Sequence, residues 1–538
     1  MTKEQQIEKY IIEIHKCKTD FEYFCKHYVI LNLPGKQVLM NPYDKQLELI
    51  EKVEDNKFVL VLKSRQIGIS TILQAYAAWL CVFYKNVVIG LISKDAPEAT
   101  DFARFIIGII EELPIWMKPK FTKKTERTFR LSNGSKCYAT PVAPNAPDKT
   151  LRGKAVTFLI IDEAAFIKFI DEAWTSMIST LSTNQMQAKK NDVPYGTVIL
   201  STPNKTVGVG KWFFDKYSKA ISEDYIFKPF VIHWRDINVL ANDPLWYKTQ
   251  CELADNDPKK INQELELKFV STSGTFFPED IVIYLQEDRK IPYKELRLFS
   301  GSVYEFCPPQ SGKFYLIGVD TASEYASDKS AITIWDYETL EQVWEFLGKL
   351  PIPDFIKVVK SAAYQYRNSL IIVENTGGYG GEVLSGLNAD NEIANQIYRE
   401  NRGKDVKLGL STTGKSRPLM IDALYSYVVK YPEIVKSKRL ALELVGLIEK
   451  NNGRVEADTG MNDDLALSTS FCFYVRKYDP PTMINMTQSP EQIHNLSDVI
   501  NLNDGLYQTR TMNESITKVV KQDNLNGFIN TLDLFNME

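Results

Sequence analysis

The chain has 538 residues, too many for one hydrophobic core, so at least two domains are expected. Apolar residues at 44% and charged residues at 25% exclude a disordered chain. A formal net charge of −4 excludes an all-over basic coat for nucleic acid, though not a local basic channel. The seven cysteines are scattered, with no C-x-x-C, and none of the four histidines sits at zinc-finger spacing from a cysteine. A reduced, intracellular protein without structural zinc is the simplest reading. The N-terminal stretch MTKEQQIEKYIIEIHKCK is charged throughout and reads as no signal peptide. The apolar run Ala75–Tyr84 is too short to span a bilayer, so no membrane is expected among the partners.

In chain order, β-branched apolar runs predict strands over Lys57–Leu62, Asn86–Ile92, Val156–Ile161 and Thr197–Leu200. Helical periods follow the first two, over Ser70–Val82 and Ala96–Leu113. This alternation implies a parallel α/β sheet buried on both faces. Residues 276–310, broken by Gly, Pro and charge and ending in Cys307-Pro308-Pro309-Gln310-Ser311-Gly312, read as a linker. A second strand system begins at Phe314–Val319 and continues with Ser330–Tyr337, Gln342–Leu347 and, after a helix at Pro353–Tyr366, Ser369–Val373. The expected division is 1–275, linker 276–310, 311–479 and a polar tail 480–538 whose one periodic stretch is Asn513–Leu534.

The first strand runs into Lys63-Ser64-Arg65-Gln66-Ile67-Gly68-Ile69-Ser70-Thr71. The pattern is close to the phosphate-binding loop G-x-x-x-x-G-K-[ST], in which backbone N–H groups and a helix N-terminus face the phosphates. Gly68 and Ser70 fit, and Ser70 or Thr71 can ligate Mg²⁺. Lys63 stands where the first glycine belongs and Ile69 where the lysine belongs, so the cation must come from Lys63 or Arg65. An ordinary strand–turn–helix is the alternative. The third strand, in VTFLIIDEAAF, ends in Asp162 and Glu163. An Asp at that place holds a metal and the Glu after it polarises the attacking water. The fourth ends in Ser201-Thr202-Pro203-Asn204, hydroxyls that either sense the γ-phosphate or only make a turn. Upstream, Gln46 and Tyr43 either read and stack on adenine or start a helix.

SRQxG with its hydroxyl, the LIIDEAAFI strand, Leu151-Arg152-Gly153 before it and the STPN turn together resemble the large terminase subunit of tailed bacteriophages, from about Pro42 to Phe471. That resemblance implies a P-loop NTPase of the additional-strand (ASCE) type, with N-terminal helices and a lid subdomain, followed by a ribonuclease H-like nuclease. It implies ATP and Mg²⁺ at Gln46, Lys63, Ser64, Arg65, Gln66, Gly68, Ser70, Thr71 and Asp162. In that family the arginine matching Arg65 is implicated in ATP cleavage, and some members carry the lysine at the start of the loop, as Lys63 does here.

Two-metal nucleases need several carboxylates converging from distant segments. Asp320 follows Phe314–Val319, Glu374 follows Ser369–Val373, and Asp463-Asp464 begins a helix in MNDDLALSTSF. Turn residues and helix capping are the plain alternatives. The order matches the nuclease of the resembling family, which makes Asp320, Glu374 and Asp464 the expected ligands for Mg²⁺ or Mn²⁺ and Asp463 an auxiliary acid. The glycines Gly377, Gly378, Gly380 and Gly381 let backbone approach a DNA strand or simply turn. Two basic groups, Arg399, Arg402, Lys404, Lys407, Lys415, Arg417 and Lys436, Lys438, Arg439, either hold a duplex or form a solvated surface. The segment Lys118–Arg130, with Phe121 and Phe129 among its basic residues, reads as a solvated hairpin, with contact to DNA or another subunit as the alternative.

The expectation is an ATP-hydrolysing, DNA-cutting packaging subunit. The resemblance implies double-stranded DNA, portal protein, prohead and small terminase subunit as partners. It also implies a fivefold ring on the portal, the host cytoplasm as location and absence from the mature virion. A helicase-nuclease of repair or restriction, and a P-loop scaffold with a dead ATPase, are the other classes.

Overall fold

The computed structural model describes residues 3–481, apart from 207, 222–224, 270–274, 288, 290, 299–300, 323–327, 376–378, 403–404, 451–452 and 458–461, together with 507–510. Gly377, Gly378, Lys404 and the stretch Asn513–Leu534 lie outside the described residues.

Runs apolar on both faces are stable only inside a covered sheet. In the N-terminal half they form β1 (Phe58–Lys63), β2 (Val88–Ser93), β6 (Phe158–Ile161) and β7 (Gly196–Ser201), joined by β3 (Phe121–Lys124), β4 (Thr128–Leu131), β5 (Lys136–Pro141) and β8 (Lys228–Ile232). The sheet order is β8-β1-β7-β6-β2-β5-β4-β3. Every pair from β8 to β5 is parallel, and β5-β4-β3 closes the edge as an antiparallel hairpin system. One strand, β7, stands between the loop strand β1 and the acid strand β6, which is the expected arrangement of an additional-strand P-loop NTPase. Helices Ile69–Phe83 and Ala96–Glu112 pack together on the sheet. The basic segment Lys118–Arg130 is indeed the edge hairpin: Phe129 is buried, while Lys124 pairs with Glu111 and Glu126 with Arg104.

The second sheet contains β9 (Lys294–Leu298), β10 (Gly301–Glu305), β11 (Tyr315–Asp320), β12 (Ser330–Asp336), β13 (Gln342–Gly348), β14 (Ser369–Val373) and β15 (Tyr507–Arg510). Its order is β14-β11-β12-β13-β10-β9-β15. All pairs are antiparallel except β11 with β14, which are parallel. An antiparallel meander with a parallel fourth strand beside the first is the ribonuclease H-like layout. Helix Asp464–Tyr478 crosses β11 and β12. Trp335 and Phe473 meet at 4.8 Å, and the hydroxyls of Thr333 and Ser468 are 2.7 Å apart.

Residues 276–310 are not merely a connection, because they contain helix Glu279–Leu285 and strands β9 and β10. The polar residues that suggested a linker are buried against partners distant in sequence: Ser302 accepts from Arg439 and Glu305 from Gln365. No described helix is long and apolar enough to cross a membrane.

Candidate active sites

The first site forms where β1, β6 and β7 end. Gln66 and Gly68 have φ of +58° and +74°, the left-handed turn that lets the chain pass from β1 into helix Ile69–Phe83. Ile69 is 1% exposed and packs into the core, so the position of the usual lysine points away from any phosphate. Lys63 points the other way. Its side chain is 5% exposed and its ammonium meets Glu163 Oε1 at 2.7 Å. Burial would lower the Lys63 pKa, but the carboxylates of Glu163 and Asp162 outweigh it and the pKa is raised. Ser70 hydrogen-bonds the Asp162 carboxylate. Burial pushes that carboxyl up to about 6 against the pull of Lys63. Glu163 sits at φ +50°, and its N–H donates to Asp162 Oδ1 at 2.9 Å.

The hydroxyl of Ser201 donates to Glu163 Oε2 at 3.4 Å and accepts from the Ala165 N–H at 3.1 Å. Asn204 donates to the Ala165 carbonyl at 2.8 Å. Thr202 is buried beside them. The geometry therefore joins Lys63, Ser70, Asp162, Glu163 and Ser201 in one cluster. Ser70 and Asp162 present the hydroxyl–carboxylate pair suited to Mg²⁺. Thr71 lies half-buried on the first helical turn and Gln66 is exposed on the loop.

Four residues expected at the nucleotide, Ser64, Gln46, Tyr43 and Arg65, have protein partners in this structure. Ser64 donates to the Leu265 carbonyl at 2.7 Å and accepts from the Trp234 N–H at 3.0 Å, so its hydroxyl anchors the loop instead of facing a ligand. Gln46 is 3% exposed; it donates to the carbonyls of Ile67 and Gly68 and accepts from the Tyr43 N–H. It braces the loop with both amide protons and has no donor left for adenine. Tyr43 caps helix Asp44–Asn56 and packs on the core. Arg65 is exposed, with its guanidinium 3.1 Å from Glu264 and its N–H bonded to the Glu264 carbonyl. Glu264, Leu265 and Trp234 carry no local signal, since they reach the loop from about 170 to 200 positions away.

The second site lies where β11 and β14 end. Asp320 closes β11, and Glu374 follows β14 with its N–H on the Val319 carbonyl at 3.2 Å. The parallel register of Val319 with Val373 makes the two acids neighbours. Helix Asp464–Tyr478 brings Asp464, whose Oδ2 accepts from the Lys329 N–H at 3.2 Å. Gly318 allows this approach: a Cβ there would lie 2.0 Å from the Ser468 carbonyl. Burial, then the charges of Asp464, Glu374 and Asp463, holds the Asp320 carboxyl well above its usual range. Burial likewise lifts Asp464 to about 7, against the Lys329 N–H and with the charges of Asp463 and Asp328. Burial raises Asp463, against the Ala457 N–H and Arg417. Buried carboxylates that raise one another are the donor set a divalent cation relieves. Among the described residues they are neighbours, not a closed cage, for no three acids stand at metal-ligand spacing.

The basic groups divide. Arg417 faces Asp463, beside the acids. Arg439 is no surface residue: it is buried, with its Nε 2.7 Å from Glu345 and its guanidinium 3.7 Å from the Tyr304 ring. A buried ion pair, invisible in a run of basic residues, is the reason. Glu443, also buried, is the acid that sequence reasoning passed over.

Residues 60–282 match the family model of terminase large subunits, T4-like-virus type, N-terminal part. The HK97 bacteriophage large terminase aligns at 13% identity over 85% of this chain and 99% of its own, with a TM-score of 0.40. The ATPase domain of the Thermus phage P74-26 large terminase aligns at 19% identity over 43% and 94%, with a TM-score of 0.32. The magnesium-bound nuclease of the thermophilic phage G20c large terminase aligns at 17% identity over 35% and 93%, with a TM-score of 0.27. Likenesses this distant bear no functional weight, and the assignment rests on the sequence match. Over residues 60–282 the chain is thus similar in sequence to the N-terminal part of large terminase subunits.

Proposed function

We propose that this chain is a DNA-packaging motor subunit: an ATPase within residues 1–275 drives double-stranded DNA into a prohead, and a metal-dependent nuclease within 311–479 cuts it. The observation that carries the reading is the Lys63–Glu163 ion pair beside Asp162, Ser70 and Ser201. A dead scaffold would have no reason to bury a lysine against the acid pair.

Lys63 binds the phosphates of ATP and in doing so leaves Glu163. The freed Glu163 carboxylate accepts the proton of the attacking water. Arg65, released from Glu264, stabilises charge on the transferring phosphoryl group. Ser70 and Asp162 would hold Mg²⁺, which would supply charge neutralisation to the phosphates. Ser201 touches both Glu163 and the backbone after it, so a change at the acid is felt by the chain leading to helix Lys211–Ile221. In the nuclease half, Asp320, Glu374 and Asp464, with Asp463 auxiliary, would hold Mg²⁺ or Mn²⁺, which would supply Lewis acidity for cutting the phosphodiester. Arg417 holds the DNA backbone next to them. A fivefold ring on the portal, joined by the small terminase subunit in the host cytoplasm and absent from the mature virion, completes the reading.

The test separates the two activities. Glu163→Gln abolishes prohead-stimulated ATP turnover and leaves Mn²⁺-dependent DNA cutting, whereas Asp320→Asn does the reverse. Normal turnover by Glu163→Gln refutes the assignment of the base. Stimulation by DNA ends in place of proheads points to a helicase-nuclease.

A further inference from the structure

We propose that Glu443 is a positioning residue for the cutting site: from a neighbouring helix it caps the helix that presents Asp464, and so holds Asp464 beside Asp320 and Glu374. The proposal rests on the reading of those acids as metal ligands.

A helix N-terminus leaves N–H groups without intrahelical partners, and the residue just before the helix ordinarily accepts one with its side chain. Asp463 occupies that place in helix Asp464–Tyr478 but makes no such bond. Its Oδ2 turns to the Ala457 N–H at 3.2 Å. The cap comes from elsewhere. Glu443, 7% exposed on helix Lys438–Val445, accepts the Ala466 N–H on Oε2 at 3.0 Å. Glu443 therefore bonds the first turn of the helix, two residues from Asp464.

The helix that delivers Glu443 is itself fixed. Ser437 caps it, accepting from the N–H groups of Arg439 and Leu440. The Ser437 hydroxyl and Arg439 Nε both donate to Glu345 Oε1 at 2.7 Å. Gln342 accepts the Ser437 N–H at 2.9 Å, and Arg439 donates to Ser302 at 2.6 Å. These partners lie on β10 and β13, so the sheet sets the place of Glu443. The arrangement leaves Asp463 free to face Arg417 and the other acids while a more distant carboxylate does the capping. Groups that orient a metal's ligands without touching the metal change metal affinity by roughly 10- to 100-fold when removed.

The test titrates Mn²⁺ calorimetrically into the full chain without nucleotide, with Asp320→Asn as the blank and ATP turnover as the check of folding. Glu443→Ala is expected to weaken the Asp320-dependent Mn²⁺ site roughly 10- to 100-fold while ATP turnover persists. Glu443→Gln, whose amide oxygen still accepts the Ala466 N–H, is expected to bind Mn²⁺ nearly as the parent does. Wild-type Mn²⁺ affinity in Glu443→Ala overturns the proposal alone. So does an equal loss in Glu443→Gln, which would make the charge itself a ligand. If Glu443→Ala also loses ATP turnover, the Gln variant decides: parental affinity supports the cap and lost affinity overturns it. Absence of Asp320-dependent Mn²⁺ binding in the parent chain overturns the metal-site reading and the proposal together.

Discussion

Ile69 stands where a phosphate loop ordinarily carries its lysine, yet its side chain lies in the core beside Ile67 and Ile72. Restoring the usual pattern there therefore buries an ammonium without a partner, at a cost of several kcal/mol. Ile69→Lys is expected to lower the thermal midpoint by several degrees and to leave Lys63→Ala without ATP turnover, as differential scanning and a phosphate-release assay would show. Recovery of turnover in that double variant would return the phosphate role to position 69. Lys63, Asp162 and Glu163 were legible because each stands at the end of an apolar run. Ser64 and Gln46 were misread because their partners are tertiary: a hydroxyl in a phosphate loop looks like a ligand until Leu265 and Trp234 are seen against it. Lys216 is a residue of another kind, half-buried among Trp212, Trp174, Tyr225 and Phe227 at 4.7 to 6.0 Å, with its ammonium donating to the Tyr225 hydroxyl. The ring faces attract its charge, but burial, helped by Lys219, brings its pKa down to about 8. The unfolded lysine titrates near 10.4. Between those values the unfolded chain holds a proton that the folded one has released, so this group adds stability as pH rises through the window. Lys216→Met should remove that contribution: the stability of the parent relative to the variant should climb from pH 8 to about 10.4, read by denaturant melts. A pH-independent difference would sink the assignment.

Among the elements, the strands that order both sites were readable from apolar runs, with ends displaced by a residue or two. Val88–Ser93 replaced Asn86–Ile92, and Phe158–Ile161 replaced Val156–Ile161. The strands β9 and β10 were not, because Glu295, Ser302 and Glu305 place polar groups on buried faces, and their satisfaction depends on partners such as Arg297, Arg439 and Gln365. The packing of helix Asp464–Tyr478 on β11 is sensitive to a single methyl group. Gly318 lies two residues before Asp320, and the helix backbone fills the space its side chain would need, with Cys472 Sγ 2.9 Å from the same point. Gly318→Ala must push the helix outward, so Asp464 and Asp320 part. It is expected to reduce DNA cutting at least about a hundredfold and to destabilise the chain by about 1–3 kcal/mol, while ATP turnover remains. Cutting at the parental rate would show that the helix does not set the distance between the acids.

At the scale of the molecule, the two sheets are linked by apolar packing and not by a bare tether. Phe213, Phe214 and Tyr217 of helix Lys211–Ile221 pack around Phe269, Gln286 binds both backbone groups of Phe269, and Lys438 lies over the Tyr217 ring at 5.8 Å. The proposed cutting acids stand on segments far apart, from Asp320 to Asp464, which gives their assembly an order in time. Every residue of the proposed ATP site, from Lys63 to Ser201, leaves the ribosome before Asp320 is made. The stretch from Asp320 to Asp464 then takes roughly ten seconds or more to synthesise. A nascent chain would thus own an engine before it owns a blade, and a chain cut short anywhere before Asp464 would be harmless to the DNA around it.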